Sequence, residues 1–294
     1  MVFFPMNRID SLFDTLRAKD RPAMIAYITG GDPTIEVSER IALALENAGV
    51  DLLELGIPFS DPLADGATIQ AAAERALTAG ATVPKILDLV RSIRQSSQIP
   101  IVLFTYLNPV YIYGFARFQA DAVAAGADGL LLLDLPPQEA AQNTELAPAS
   151  GLKTIRLIAP TTPPDRLQEI TDTAEGFIYY VSREGVTGEQ ASLSSDIAER
   201  VAAIRKITTV PIAVGFGISN PEQAATVAAL ADGVVVGSAI VRQIQAFGNF
   251  PDLPERIAKF VLPIAEAVRC VHLIKKDTQP FDSLAASPNF QTGS

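Results

Sequence analysis

The sequence predicts a closed (β/α)8 barrel of the TIM type with one additional helix in front of it. Three observations carry that expectation. Short apolar or β-branched runs recur eight times, usually closed by a Gly, Pro, Asp or Ser break. Several runs, such as Leu130-Leu131-Leu132-Leu133 and Val234-Val235-Val236, are apolar without alternation, as strands buried on both faces of a parallel sheet must be. Between them lie longer alanine-rich stretches with helical spacing. Eight alternating units in about 250 residues favour a closed barrel over an open doubly wound sheet.

The elements follow in order. Ile9, Leu12, Phe13 and Leu16 share one face of a first helix, which could plug the bottom of the barrel. Strands are expected at 23–29, 50–56, 100–105, 129–135, 154–159, 176–182, 210–215 and 233–237. Helical faces are marked by Ile41, Leu45 and Ala48, and by Ala120, Val123, Ala124 and Ala127. After the first strand stands Thr29-Gly30-Gly31-Asp32-Pro33 and no Gly-x-Gly-x-x-Gly, so these glycines suit a tight turn better than a dinucleotide. Residues 277–294 are polar, contain Pro280 and Pro288, and show no sustained period. The expected organisation is therefore one barrel domain over 1–276 and a flexible tail over 277–294.

Composition narrows the chemistry. Hydrophobic residues make up 48% of the 294, which excludes wholesale disorder. No run reaches the ~18 apolar residues of a membrane helix. The first residues, Met-Val-Phe-Phe-Pro-Met-Asn-Arg, lack a signal or transit pattern, so a cytoplasmic protein is expected. A formal charge of −10 argues against a nucleic-acid binder, though not against a small phosphorylated substrate held by backbone amides. One cysteine, Cys270, and one histidine, His272, rule out an internal disulfide and a histidine-rich metal site. No segment resembles a dedicated oxygen-ligand loop for a cation. Acid–base work therefore falls to carboxylates, Tyr or Lys.

Residues 53–66, Leu-Glu-Leu-Gly-Ile-Pro-Phe-Ser-Asp-Pro-Leu-Ala-Asp-Gly, are the most informative stretch. An apolar strand carries Glu54 just before its end, and the following loop holds Asp61 beside Pro62 and Asp65 beside Gly66. Burial of a glutamate in an apolar strand disfavours its charged form and raises its pKa, which suits proton transfer near neutral pH. The residue types alone also fit a solvated strand-end acid and two ordinary turn dipeptides.

Strand seven ends in Gly215-Phe216-Gly217-Ile218-Ser219 and strand eight in Gly237-Ser238-Ala239-Ile240. Glycines there let backbone N–H groups approach an oxyanion, at the strand ends where this fold often holds phosphate. Tight strand-to-helix turns would use the same glycines. After strand six, residues 183–190 form a polar, glycine-containing loop that reads as a lid or as a plain surface connection.

Taken together, the 53–66 string and the Ser-Arg-x-Gly-Val-Thr-Gly segment closely resemble the tryptophan synthase α subunit, a resemblance running over roughly 8–270. It implies a lyase that cleaves indole-3-glycerol phosphate to indole and glyceraldehyde 3-phosphate. By resemblance, Glu54 is the acid–base group, Asp65 holds the indole N–H, and Tyr179 lies near the glycerol chain. Gly188, Phe216, Gly217, Gly237 and Ser238 match the phosphate-holding positions. Thr187 matches the lid residue that bonds the aspartate of the second loop on closure, within a lid that also carries Arg183. Asp61 and Asp134 match positions associated with contact and communication between subunits. The implied partner is a pyridoxal phosphate-dependent β subunit in an α2β2 complex, with no cofactor in this chain. Two alternatives stand beside it. One is a related barrel enzyme, either a phosphosugar isomerase, which the Glu54–Asp65 pair does not by itself suggest, or a stand-alone lyase of the same chemistry releasing free indole. The other is a non-catalytic subunit that binds a phosphorylated ligand and regulates a partner enzyme, against which Glu54, Asp65 and Tyr179 together count.

Overall fold

The computed structural model describes residues 6–142, 151–181, 190–215 and 217–271. In chain order the first half comprises α1 (Arg8–Ala18), β1 (Ala23–Thr29), α2 (Ile35–Asn47), β2 (Leu52–Gly56), α3 (Ala67–Thr78), α4 (Val83–Arg94), β3 (Ile101–Thr105), α5 (Leu107–Tyr113) and α6 (Phe115–Ala125). The second half comprises β4 (Gly129–Leu132), α7 (Pro137–Gln142), β5 (Lys153–Ile158), α8 (Pro164–Asp172), β6 (Ile178–Val181), α9 (Gln190–Arg205), β7 (Ile212–Gly215), α10 (Pro221–Ala228), β8 (Gly233–Val236), α11 (Ser238–Phe247) and α12 (Leu253–Arg269). The strands pair in sequence order, all parallel, and β8 closes on β1.

Alternation along each strand sorts side chains into two cores. Met24, Ala26 and Ile28 of β1 and Leu53 and Leu55 of β2 point outward into the layer beneath the helices. Ala23, Ile25, Tyr27 and Leu52 point into the barrel. Glu54, two residues beyond Leu52, therefore points inward, level with Tyr27 in the strand register. The same parity turns Tyr179 of β6 inward between the outward Ile178 and Tyr180.

Helix α1 closes the barrel from below. Ile9, Phe13 and Leu16 are buried in the inner core, and Phe13 packs against Phe177 with ring centroids 5.8 Å apart. The Asn7 side chain caps the helix through the Ile9 N–H and donates to Asp128 O at 2.9 Å. Asp128, buried at the foot of β4, accepts from Arg94 at 2.7 Å, from Arg8 at 2.8 Å and from the Ile101 N–H at 2.8 Å. One carboxylate thus joins the plug, α4 and two strands.

Several boundaries differ from the sequence-based expectation. The second strand starts at Leu52 rather than residue 50, because the Val50 N–H still bonds back to Leu45 O, just after α2. The fourth strand ends at Leu132 rather than 135, and the Asp134 carboxylate instead takes the Leu107 N–H at 2.7 Å. Two helices, not one, follow β2, separated near Gly80, whose φ of +84° breaks the run. At the mouth, Arg75 of α3 grips buried Asp32 with two bonds of 2.9 and 2.7 Å, tying the turn after β1 to the helix that follows the Asp65 loop.

Candidate active site

The C-terminal ends of the strands enclose a cavity of about 450 Å³. Glu54 lies in its wall, 0% exposed. Neither of its carboxyl oxygens has a hydrogen-bond partner among the described residues. Burial pushes its pKa up to about 8, and among the described residues no cation or donor offsets the loss of water. Glu54 is thus mostly a neutral acid at pH 7, able to give a proton and take one back.

Asp65 enters the cavity from the loop that follows β2. Its pKa rises to about 6 through burial, opposed by a hydrogen bond from the Tyr106 hydroxyl, so at neutral pH it is mostly ionised. Two carboxyl groups in one pocket are thereby set to opposite protonation states, the pattern that separates an acid from a charge-stabilising base. The loop backbone is held by Gln70, whose Nε2 donates to Pro62 O at 3.2 Å and Asp65 O at 3.0 Å.

Tyr179 lines the cavity from β6, its hydroxyl over Gly215 of β7. Burial holds its pKa well above the ordinary range, with the nearby Glu54 adding to the effect, so it remains a neutral donor. Between these polar groups lie Phe104, Leu133, Leu157 and Val235, an apolar surface suited to a flat aromatic group. Gly217, Gly237 and Ser238, beyond the ends of β7 and β8, line the same cavity. Gly217 has φ +57°, a left-handed conformation that any other residue type would strain. Gly237 is the N-cap of α11 and offers no side-chain cap, so the first N–H groups of that helix lie open beside the cavity. A helix start left open in this way can receive an anion.

The family profile described as Tryptophan synthase alpha chain matches residues 13–265. The chain belongs to the tryptophan synthase α family.

Relatives bearing that name include those of Geotalea daltonii, 52% identical over 83% of this chain and 92% of the relative, and Geobacter sulfurreducens, 50% identical over 90% and 99%. Among solved structures, tryptophan synthase subunit alpha from Legionella pneumophila str. Paris superposes with a TM-score of 0.82 at 39% identity, covering 90% of this chain and 99% of that one. A chain of Mycobacterium tuberculosis tryptophan synthase gives 0.80 at 36%, covering 90% and 99%.

Of the residues that the tryptophan synthase α resemblance singles out, Glu54, Asp65, Tyr179, Gly217, Gly237 and Ser238 meet around one cavity. Asp61 does not line it; it is exposed and bonded by the Ser60 hydroxyl at 2.6 Å. Asp134 is exposed at the mouth, against the start of α5. Arg183, Thr187, Gly188 and Phe216 lie outside the described residues. Sequence reasoning passed over Tyr27 and Tyr106. Strand parity was the available signal: Tyr27 follows Ile25 on the inward face, and Tyr106 continues the inward series Val102, Phe104.

Proposed function

We propose that Glu54 and Asp65 carry the α reaction of tryptophan synthase, with Tyr179 beside the glycerol chain and Gly217, Gly237 and Ser238 holding the phosphate. The reaction itself comes with the family: the chain is a lyase of L-tryptophan biosynthesis that cleaves indole-3-glycerol phosphate to indole and glyceraldehyde 3-phosphate. Glu54 delivers a proton to indole C3. The ring then carries positive charge at its N–H, which the Asp65 carboxylate accepts and stabilises. Removal of the glycerol hydroxyl proton lets the oxygen lone pair form the aldehyde as the bond to C3 breaks. Those electrons return to the ring and restore indole, and the resulting Glu54 carboxylate is the group placed to take the hydroxyl proton. One proton is added and one removed, so a single carboxyl serves both transfers. The observation that supports this reading best is that both carboxyls line one cavity, Glu54 fully buried with neither oxygen bonded among the described residues and Asp65 bonded by the Tyr106 hydroxyl.

By resemblance, Gly188 and Phe216 complete the phosphate site, and Thr187 with Arg183 forms the lid. The family works with a β subunit, and pyridoxal phosphate belongs to that partner. We place this chain in an α2β2 complex, with no cofactor of its own. Leu63, 91% exposed in the Asp65 loop, and Tyr111 and Ile112, exposed on α5, supply apolar surface beside the mouth for that contact. Asp61 and Asp134 lie on the same side as coupling residues. A single barrel domain over 1–276, a tail over 277–294 and a cytoplasmic location complete the proposal; among the described residues no helix is long and apolar enough to cross a membrane.

The test is indole release from indole-3-glycerol phosphate as β subunit is added. A rate that rises with the partner, by less in Asp61→Ala, is the expected result. A chain already fast alone and indifferent to the partner supports the stand-alone lyase.

A further inference from the structure

Tyr106 follows β3 directly and is buried. Its hydroxyl accepts the Ala64 N–H at 3.0 Å and donates to Asp65 Oδ2 at 3.0 Å. The first bond uses an oxygen lone pair, so the single hydroxyl proton is free to point at the carboxylate. The Tyr106 ring packs against Phe59 from the same loop, centroids 5.5 Å apart. Asp134 fixes the next backbone unit by accepting the Leu107 N–H at 2.7 Å. Gln70 holds the loop backbone separately, so the Tyr106 hydroxyl acts on the Asp65 side chain and on the amide before it.

We propose that Tyr106 is the positioning residue for Asp65: its hydroxyl holds the carboxylate that lines the cavity in the charged form that the indole N–H requires. This rests on the role given to Asp65 above. A hydrogen bond to a carboxylate favours ionisation. Tyr106 is what opposes burial at Asp65 and leaves it titrating at about 6. The other titratable groups facing Asp65 among the described residues are Tyr27 of β1 and Tyr179 of β6, with Glu54 of β2 across the cavity. Both tyrosines stay neutral, so neither supplies charge to replace the lost bond.

The experiment is the pH dependence of kcat/KM for indole-3-glycerol phosphate cleavage by the full chain with a β subunit, in wild type, Tyr106→Phe and Asp65→Asn. Phe keeps the ring packing and removes only the hydroxyl; unchanged binding of glycerol phosphate verifies that the site is formed. The Tyr106→Phe acid limb is expected to move up by about one pH unit, as a charge-assisted bond of this kind is worth. Its deficit should then be about tenfold near pH 5 and shrink to within about twofold above pH 8. A profile superimposable on wild type, or a loss equal at every pH, would overturn the proposal while leaving Asp65 in place if Asp65→Asn is inactive. Wild-type cleavage by Asp65→Asn would overturn both this proposal and the reading beneath it.

Discussion

The Tyr179 hydroxyl occupies the space that a Cβ on Gly215 would fill. Two adjacent strands thus share one position: β7 gives up a side chain so that β6 can project a phenol across the barrel. Tyr27 and Gly56 repeat the relationship between β1 and β2. Glycine is required at both sites for room, not for backbone freedom.

Gly215→Ala should therefore displace the Tyr179 hydroxyl and lower kcat/KM by about 10-fold or more, since a misplacement of about 1 Å can cost up to 10²-fold. Gly215→Ala combined with Tyr179→Phe, which removes the clashing oxygen, should relieve part of the strain and be more stable than Gly215→Ala alone. Kinetics and thermal melts on the three variants check this; full activity in Gly215→Ala would show that the Tyr179 position is not critical.

Glu54 makes stability depend on pH with a definite sign. Its pKa rises from 4.5 in the unfolded chain to about 8 when folded. Over that interval the unfolded chain has released a proton that the folded chain retains, so stability falls as pH rises from about 4.5 to about 8 and then levels. Glu54→Gln should remove this component. Urea unfolding at pH 5 and pH 8 should show a smaller drop in the variant, and equal drops would mean that Glu54 ionises freely in the fold.

Gly217→Val and Gly237→Val should weaken glycerol phosphate binding far more than Glu54→Gln does. At Gly217 the positive φ penalises a branched residue, and its side chain would project into open space at the proposed phosphate site. At Gly237 a Cβ would stand 3.3 Å from Tyr27 Cβ. Titrations on the folded variants decide it; unchanged affinity in both would move the phosphate elsewhere.

Much of this was legible in the sequence because burial on both faces leaves strands such as Val234–Val236 unalternating, and because Glu54 breaks an apolar run at an inward position. What escaped was set by contacts between segments far apart in the chain. The early end of β4 depends on Asp134 finding the Leu107 N–H, 27 residues away. Tyr106 acquires its role only because the Asp65 loop folds over β3, 41 residues apart in sequence. Neither pairing leaves a local pattern. The same holds for Asp128, which reads as a plain acid before a strand yet gathers Arg8 and Arg94 beneath the barrel.

Asp128→Ala should accordingly destabilise the fold by about 3–5 kcal/mol, the usual cost of leaving a largely buried charged partner, here Arg94, unmatched. Its effect on kcat per folded molecule should be small, because the cluster lies at the opposite end of the barrel from Glu54. Chemical denaturation and active-site titration separate the two; an unaltered unfolding midpoint would remove the structural role given to this cluster.

Single-turnover cleavage of indole-3-glycerol phosphate by wild type and Glu54→Gln, each saturated with β subunit, reads the proton transfer at Glu54 itself. The amide keeps the shape of the side chain but can no longer exchange a proton with the substrate. A loss of about 10²–10⁴ in the rate of indole formation, with glycerol phosphate affinity unchanged, is the expected result. Retention of a tenth or more of the wild-type rate would contradict the assignment of Glu54 as the proton-transfer group.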